Sequence, residues 1–313
     1  MMSEPIDVRT DPKMPNRSMT GHKGTFGTAM LVGGTAMTHR MIGGPCLATR
    51  AALRSGCGLA ILAMPEPILD EGLGVVPEAT GLALPCLDDG SLGLDATEVL
   101  EGFDVAVHGV GIGPGLGGGA GVEALVRGCV MNDSVPRVID ADALNAMATG
   151  SIDRIRGPVV LTPHPGEWRR LADALGIDGD PIDDEARPAA AMAMASTLAA
   201  GEAPVVVVLK GAGTVVSDGH RFWRCGILES ALAVGGSGDV LTGLLVGLIA
   251  QFHPRPGEAR SDQRMDLFDI ACLSVAMHAE AGRSWVSRNG ASGMLARELA
   301  DEIVAVRETF MRS

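Results

Sequence analysis

"AVGGSGDVLTGLLVGLIAQ", residues 233–251, sets the reading of the whole chain. Gly235, Gly236, Ser237 and Gly238 run straight into Asp239, and an almost wholly apolar stretch follows. Leu241, Leu244, Leu245 and Leu248 fall at i, i+3, i+4 and i+7. The remaining positions are also mostly apolar, which predicts a helix buried on all sides. At about a dozen residues it is too short to span a bilayer. A bare loop at a helix N-terminus lets several backbone N–H groups converge, and the helix dipole adds positive potential, so the pattern predicts an anion site. Asp239 then needs a reason, because a carboxylate repels a phosphate. It reads either as a helix-capping residue or as a general base. As a base it would take a proton from a hydroxyl while the loop holds the phosphoryl group under attack. No G-x-x-x-x-G-K-[ST] is present, so this is not a Walker-type loop.

The segments upstream alternate between strand and helix patterns. Residues 28–34, "TAMLVGG", read as a strand ending in glycines, 43–58 as a helix closed by Gly56, and 59–67 as a strand stopped by prolines. After a turn-rich stretch through residue 90, the pattern repeats around "GIGPGLG" (111–117), "DADALN" (140–145) and "TPHPGE" (162–167). An alanine-rich helix follows. "VVVVLKGAGT" (205–214) then reads as a strand buried on both faces, continued by a hairpin turning at Asp218-Gly219. Two helices follow a charged loop at 253–266. The pattern predicts an α/β fold with a mainly parallel central sheet and helices on both faces. Ligands of such sheets bind beyond the carboxyl ends of the strands, where every unusual motif of this chain lies.

Each motif has a bland reading beside a functional one. "GIGPGLG" lacks the G-x-G-x-x-G spacing and is either a tight turn or a wall for a flat ring or phosphate. His164, held between two prolines, is a ligand contact or a plain loop histidine, and Glu167 in the next turn reads chiefly as a cap. Lys210, ending a buried strand, needs a partner such as a phosphate unless it snorkels from the sheet edge. Asp140 and Asp142 are candidates for helix caps, ion-pair partners or Mg²⁺ outer-shell groups, with capping expected of at least one, and Asn145 is expected near the same cleft.

Composition narrows the classes. With 313 residues and 46% hydrophobic content the chain can bury a substantial core. A net charge of −13 argues against nonspecific nucleic-acid or anionic-membrane binding, so an anionic ligand requires local donors. Six scattered cysteines without a C-x-x-C pair read as buried hydrophobes in a reducing compartment. The polar, proline-bearing N-terminus has no apolar signal region; we expect a loosely ordered tail over residues 1–21, one domain over 22–313 and a cytoplasmic location.

Taken together and in this order, "GIGPGLG", "DADALN", "TPHPGE", "KGAGT" and "GGSGD" resemble the ADP/ATP-dependent NAD(P)H-hydrate dehydratases of the ribokinase-like superfamily. "HKGTFGTAMLVGG" and "GGPCLATRAALRSGCGLAIL" resemble that family's opening, so the likeness runs from about residue 22 to the C-terminal helices. The resemblance implies a ribokinase-like fold and a stand-alone repair domain, without the epimerase domain fused to some members. It implies phosphorylation of hydrated NADH or NADPH on its new hydroxyl by ADP or ATP, with Mg²⁺, followed by loss of phosphate. It implies that Asp239 is the base and that Gly44, Gly113, Gly115, His164 and Asp239 contact the hydrated dinucleotide. It assigns Lys210, Gly211, Ala212, Gly213, Thr214, Gly236, Ser237 and Gly238 to the adenine nucleotide, and implies a homotetramer. Two departures stand out: "LESAL" (228–232) where the family has an Asn-Pro-Gly-Met-like run, and Gly44 where it has an alanine. Rival readings are a vitamin-precursor-type small-molecule kinase of the same superfamily and a non-catalytic nucleotide-binding sensor.

Overall fold

The computed structural model describes residues 6–10, 12–150, 154–201, 203–255, 257–258 and 263–311. The strands are β1 (Ile6–Val8), β2 (Thr28–Val32), β3 (Leu59–Pro65), β4 (Thr80–Leu84), β5 (Gly109–Ile112), β6 (Arg137–Ile139), β7 (Val159–Leu161), β8 (Val205–Leu209), β9 (Val215–Ser217) and β10 (Arg221–Arg224). The helices are α1 (Gly43–Ser55), α2 (Glu66–Val75), α3 (Ala96–Glu101), α4 (Ala120–Met131), α5 (Ala141–Thr149), α6 (Pro165–Leu175), α7 (Arg187–Leu198), α8 (Ser237–Phe252), α9 (Leu267–Asn289) and α10 (Ala296–Arg307). All ten strands form one sheet in the order β1-β10-β9-β8-β7-β6-β5-β2-β3-β4. From β4 to β8 every pairing is parallel; β8 and β9 pair antiparallel across the turn at 210–214, and β9 and β10 antiparallel through the hairpin expected at 218–219.

Alternation of side chains along the central strands divides the core into two layers. Ala29 and Leu31 of β2, with Val206 and Val208 of β8, face α1, α8, α9 and α10. Met30 and Val32, with Val205, Val207 and Leu209, face α4, α5, α6 and α7. Both faces are covered, as the uninterrupted apolar strands require. On α8, Leu244, Leu245 and Leu248 are fully buried, each contributing about 1.5–3 kcal/mol relative to exposure. A methyl added at Gly243 would meet the Ala48 carbonyl oxygen at 1.9 Å, and one at Gly247 the Ser55 hydroxyl at 2.2 Å. Helices α8 and α1 therefore touch backbone to backbone, which sets the depth at which the α8 N-terminus sits.

Chain order reverses between β2 and β5. The strand order runs outward through β3 and β4 on one side, and through β5, β6, β7 and β8 on the other. At this switch point the two loops meet: Gly34 donates its N–H to the Pro114 carbonyl at 2.9 Å, and a side chain on Gly33 would strike that same oxygen at 2.3 Å. A crevice opens there beyond the strand ends.

Two expectations need correction. Within the segment read as a loose tail, Ile6–Val8 pairs in parallel with β10, and Met14 is 0% exposed. Edge-strand pairing and burial of one methionine order what a polar composition suggested would stay loose. The stretch through residue 90, read as turns, contains α2 and β4. Pro67 lies in the first turn of α2, where the missing N–H costs nothing, so a proline that looked like a stop is part of a start.

Candidate active site

Asp140 anchors the crevice. It ends β6, is 1% exposed, and precedes α5 without capping it. Its Oδ1 accepts from Lys210 Nζ at 2.7 Å and from the Thr162 hydroxyl at 2.7 Å, and its Oδ2 accepts from the Thr242 hydroxyl at 2.7 Å. Burial by itself would raise its pKa, but the Lys210 charge and these three bonds outweigh burial and hold the carboxyl below its usual range. Three strand ends and α8 thus converge on one carboxylate. The expectation of a capping aspartate fails here, and for Asp142 as well, which instead accepts the Gly117 N–H at 2.9 Å and ties down the glycine loop. Asn145 accepts from Arg170 on the exposed surface of α5 and α6.

Between the two aspartates, Ala141 holds a left-handed backbone, φ +49°, where a Cβ is strained. Ala141→Gly is expected to raise stability by about 0.5–1 kcal/mol, relief of strain less the added unfolded-state entropy of glycine. A urea denaturation midpoint moving upward at unchanged slope would show it; a downward shift would mean that the φ value carries no strain.

Lys210 neither snorkels nor requires a ligand as its only partner. Its side chain is 19% exposed, bound to Asp140 and 3.7 Å from Glu167 Oε2. Burial works against its charge, yet Asp140 and Glu167 raise its pKa. A methyl built on Gly238 would lie 3.5 Å from its ammonium, so the cation stands at the mouth of α8. His164 caps α6: its Nδ1 accepts the N–H groups of Gly166 and Glu167, and Glu167 returns a bond to the His164 N–H at 2.8 Å. Its Nε2 lies 3.4 Å from Glu167 Oε1, and the ring is 51% exposed. Capping engages Nδ1 and leaves half of the ring exposed, so capping and ligand contact are compatible.

Asp239 is the third residue of α8, whose cap is Gly236 with φ +91°, so Asp239 is not the capping residue. Among the described residues its carboxylate has no hydrogen-bond partner. A methyl on Gly44 would approach Asp239 Oδ2 and Pro114 Cβ each at 3.2 Å. Burial, then the negative charge of Asp140, raise the Asp239 pKa to about 7 against the opposing pull of Lys210. Pro114 connects this point to Gly113 and Gly115, the latter against Met41. Gly44, Pro114, Asp239, Gly236, Gly238 and Lys210 thus line one neighbourhood. Gly211 to Thr214 form the turn after Lys210, which Arg187 shapes by donating to the Leu209 and Lys210 carbonyls; Thr214 closes it with a bond to the Gly211 carbonyl. In the departure segment, Glu229 accepts the Ala231 N–H and caps the short 3-10 turn Ser230–Leu232.

No cluster of three or more acidic, histidine or cysteine side chains suited to a metal exists among the described residues. Asp140 is already bonded to three partners, and Glu167 faces Lys210. Sequence reasoning missed Thr162, Thr242 and Arg187. The one signal was Thr242, a polar residue inside an apolar helix.

A profile described as NAD(P)H-hydrate dehydratase matches residues 29–305. The chain belongs to this family. Among its members, an ADP-dependent (S)-NAD(P)H-hydrate dehydratase of Bacillus subtilis is 31% identical over 299 residues, covering 95% of each chain. A bifunctional NAD(P)H-hydrate repair enzyme of Moorella thermoacetica is 35% identical over 92% of this chain, but this chain spans only 51% of that protein. The chain thus spans about half the length of several curated relatives it matches. In structure, the ADP/ATP-dependent NAD(P)H-hydrate dehydratase from Bacillus subtilis, co-crystallized with ATP/Mg²⁺, superposes with TM-score 0.72 at 28% identity, covering 97% of this chain and 100% of that one. A ribokinase-like superfamily protein from Enterococcus faecalis superposes with TM-score 0.74 at 21% identity, over 96% of this chain and 93% of that one, and establishes the ribokinase-like fold.

Proposed function

We propose that the chain is an ADP- or ATP-dependent NAD(P)H-hydrate dehydratase that returns hydrated NADH or NADPH to the reduced dinucleotide. The observation that carries this reading is Asp239: a carboxylate with no hydrogen-bond partner among the described residues, its pKa raised to about 7, at the mouth of a glycine loop and beside a lysine. Asp239 takes the proton of the ring hydroxyl as that oxygen attacks the terminal phosphorus of the nucleotide. The new P–O bond forms as the bond to the leaving nucleotide breaks. The ring then expels phosphate and loses a proton from the adjacent carbon, which restores the dihydronicotinamide. Backbone N–H groups of Gly236 to Gly238, the α8 dipole and the Lys210 ammonium stabilise charge on the transferring group. Gly44, Gly113, Gly115 and His164 line the dinucleotide side in this reading, and Lys210 to Thr214 the nucleotide side. A Mg²⁺ carried on the phosphates would neutralise their oxygens; no dedicated protein cage is invoked.

The same reading takes residues 22–313 as a single ribokinase-like domain and the working form as a cytoplasmic homotetramer. No helix among the described residues is long and apolar enough to cross a membrane.

Incubation with hydrated NADH, Mg²⁺ and either ADP or ATP is expected to restore dihydronicotinamide absorbance. Folded, nucleotide-binding protein that restores none with either nucleotide would reject the dehydratase and direct the search to small-molecule kinase substrates. The pH dependence has a definite sign. Asp239 accepts a proton only when ionised, so kcat/KM falls tenfold for each pH unit below about 7 and is flat above. A profile flat down to pH 5 would remove Asp239 from the role of base.

A further inference from the structure

His278 lies on α9, far along the chain from the glycine loop, yet its ring packs beneath that loop. The imidazole is 9% exposed, and its Nε2 lies 3.0 Å from the Ser237 carbonyl oxygen and 3.2 Å from the Ser237 hydroxyl. A carbonyl oxygen only accepts, so Nε2 carries a hydrogen. Burial keeps the ring neutral, with its pKa lowered to about 4, so that hydrogen stays in place across the working pH range. The Ser237 oxygen is therefore on the accepting side of its contact with Nε2. Its own hydrogen has no lone pair to meet on that nitrogen, and Ser237 Oγ has no second partner among the described residues. Ser237 is itself only 6% exposed and is the first residue of α8, followed by Gly238, whose Cβ position lies 3.5 Å from the Lys210 ammonium. A buried hydroxyl with its hydrogen unplaced, at the head of an anion-binding helix, has one direction left: the crevice.

We propose that His278 is a positioning residue that makes the Ser237 hydroxyl an obligate donor to the nucleotide phosphate held by the glycine loop. The inference rests on the nucleotide reading of Gly236 to Gly238 given above. It extends that reading to a residue 41 positions away in the chain that contacts no substrate. It also gives a reason for a buried imidazole at this point of α9: an alanine in place of His278 would leave the Ser237 hydrogen free to turn back toward the helix.

The test uses the full chain and ATP with Mg²⁺, measuring the dissociation constant by calorimetry and kcat by recovery of dihydronicotinamide. Ser237→Ala and His278→Leu are each expected to weaken ATP about tenfold, the scale of one charge-assisted hydrogen bond. The double variant is expected to be no weaker than the worse single one, because both changes remove the same donor. His278→Gln, whose amide N–H₂ reaches the same position, is expected to return affinity to within about threefold of the parent. Additive losses, or His278→Gln as weak as His278→Leu, would mean that His278 acts only by packing, and would overturn the proposal. So would Ser237→Ala binding ATP like the parent. A parent protein that binds ATP but restores no absorbance would reject the dehydratase while the affinities still decide for His278. A parent that binds no ATP would overturn both.

Discussion

Asp239→Asn is expected to lower the recovery of dihydronicotinamide by about 10³-fold or more while leaving ATP binding intact, or tighter by a few fold. Loss of a general base costs about 10²–10⁴-fold. The amide keeps the shape of the carboxylate beside Gly44 and Pro114, so the crevice is preserved. Removing a negative charge from the mouth of an anion-binding helix favours the phosphates. A variant that retains more than a tenth of the parent rate would show that another group takes the proton. The same change has a consequence for stability with an unusual sign. The folded pKa of Asp239 is raised to about 7 from an ordinary 3.8, so the native state holds this proton more tightly than the unfolded chain does. The associated stability is complete below the unfolded value and drains away as pH rises through about 7. At pH 8 the parent therefore bears nearly the whole cost of an ionised Asp239, at most about 4 kcal/mol by linkage and less once crevice water screens it. Asp239→Asn should thus be the more stable protein at pH 8, with a gap that closes toward pH 4. Parallel urea titrations at the two pH values check it. Activity and stability pull against each other at this residue.

Lys210→Met is expected to cost about 3–5 kcal/mol of stability and most of the nucleotide affinity. Its ammonium is the only cation bound to Asp140 among the described residues, and removing it strands a carboxylate that is 1% exposed with two hydroxyls for company. The folded pKa of Asp140 is depressed, so the stability it brings is present above the ordinary aspartate value and is lost as pH falls through the folded one. The difference between parent and Lys210→Met should accordingly be widest near neutrality and narrow in acid, where the stranded carboxyl can take up a proton. Adding Asp140→Asn to Lys210→Met should recover part of the loss, because a neutral amide can still accept from Thr162 or Thr242. A single-variant loss below about 1 kcal/mol at pH 7 would mean that water reaches Asp140 and that the crevice is less closed than its geometry requires.

The alternation of strands with helices was readable because both signals are local: runs such as Val205–Leu209 are apolar on every residue, and Gly56 stops α1 with a left-handed residue at its cap. The hairpin at Asp218-Gly219 is local too. Helix α2 and strand β4 were not, because Gly, Pro and Thr in 66–84 carry the composition of turns, and only packing of Ile68 against Leu62 and Met64 resolves them. The same division holds for the site. Asp239 and Lys210 stand out because a charged residue interrupts an apolar run. Asp140 does not: an aspartate before a helix looks like a cap, and what it binds lies 22, 70 and 102 residues away. His278 is hidden for the same reason: it is one of several polar residues in a 23-residue helix, and its partner is on another helix. What sequence alone withheld was the pairing of distant groups in three dimensions.

Those separations also set a timetable. A ribosome adding about 5–20 residues per second produces Asp140 about 5–20 s before Thr242, the last of its partners 102 residues downstream. Through that interval the emerging chain carries a carboxylate whose native home does not yet exist, so the strands already made have every reason to leave it in water. The crevice is consequently a late product of synthesis, closing only when α8 arrives. A chain truncated before that helix would carry all ten strands and Lys210, but one face of the sheet would lack α8, α9 and α10 and Asp140 would lack its Thr242 bond.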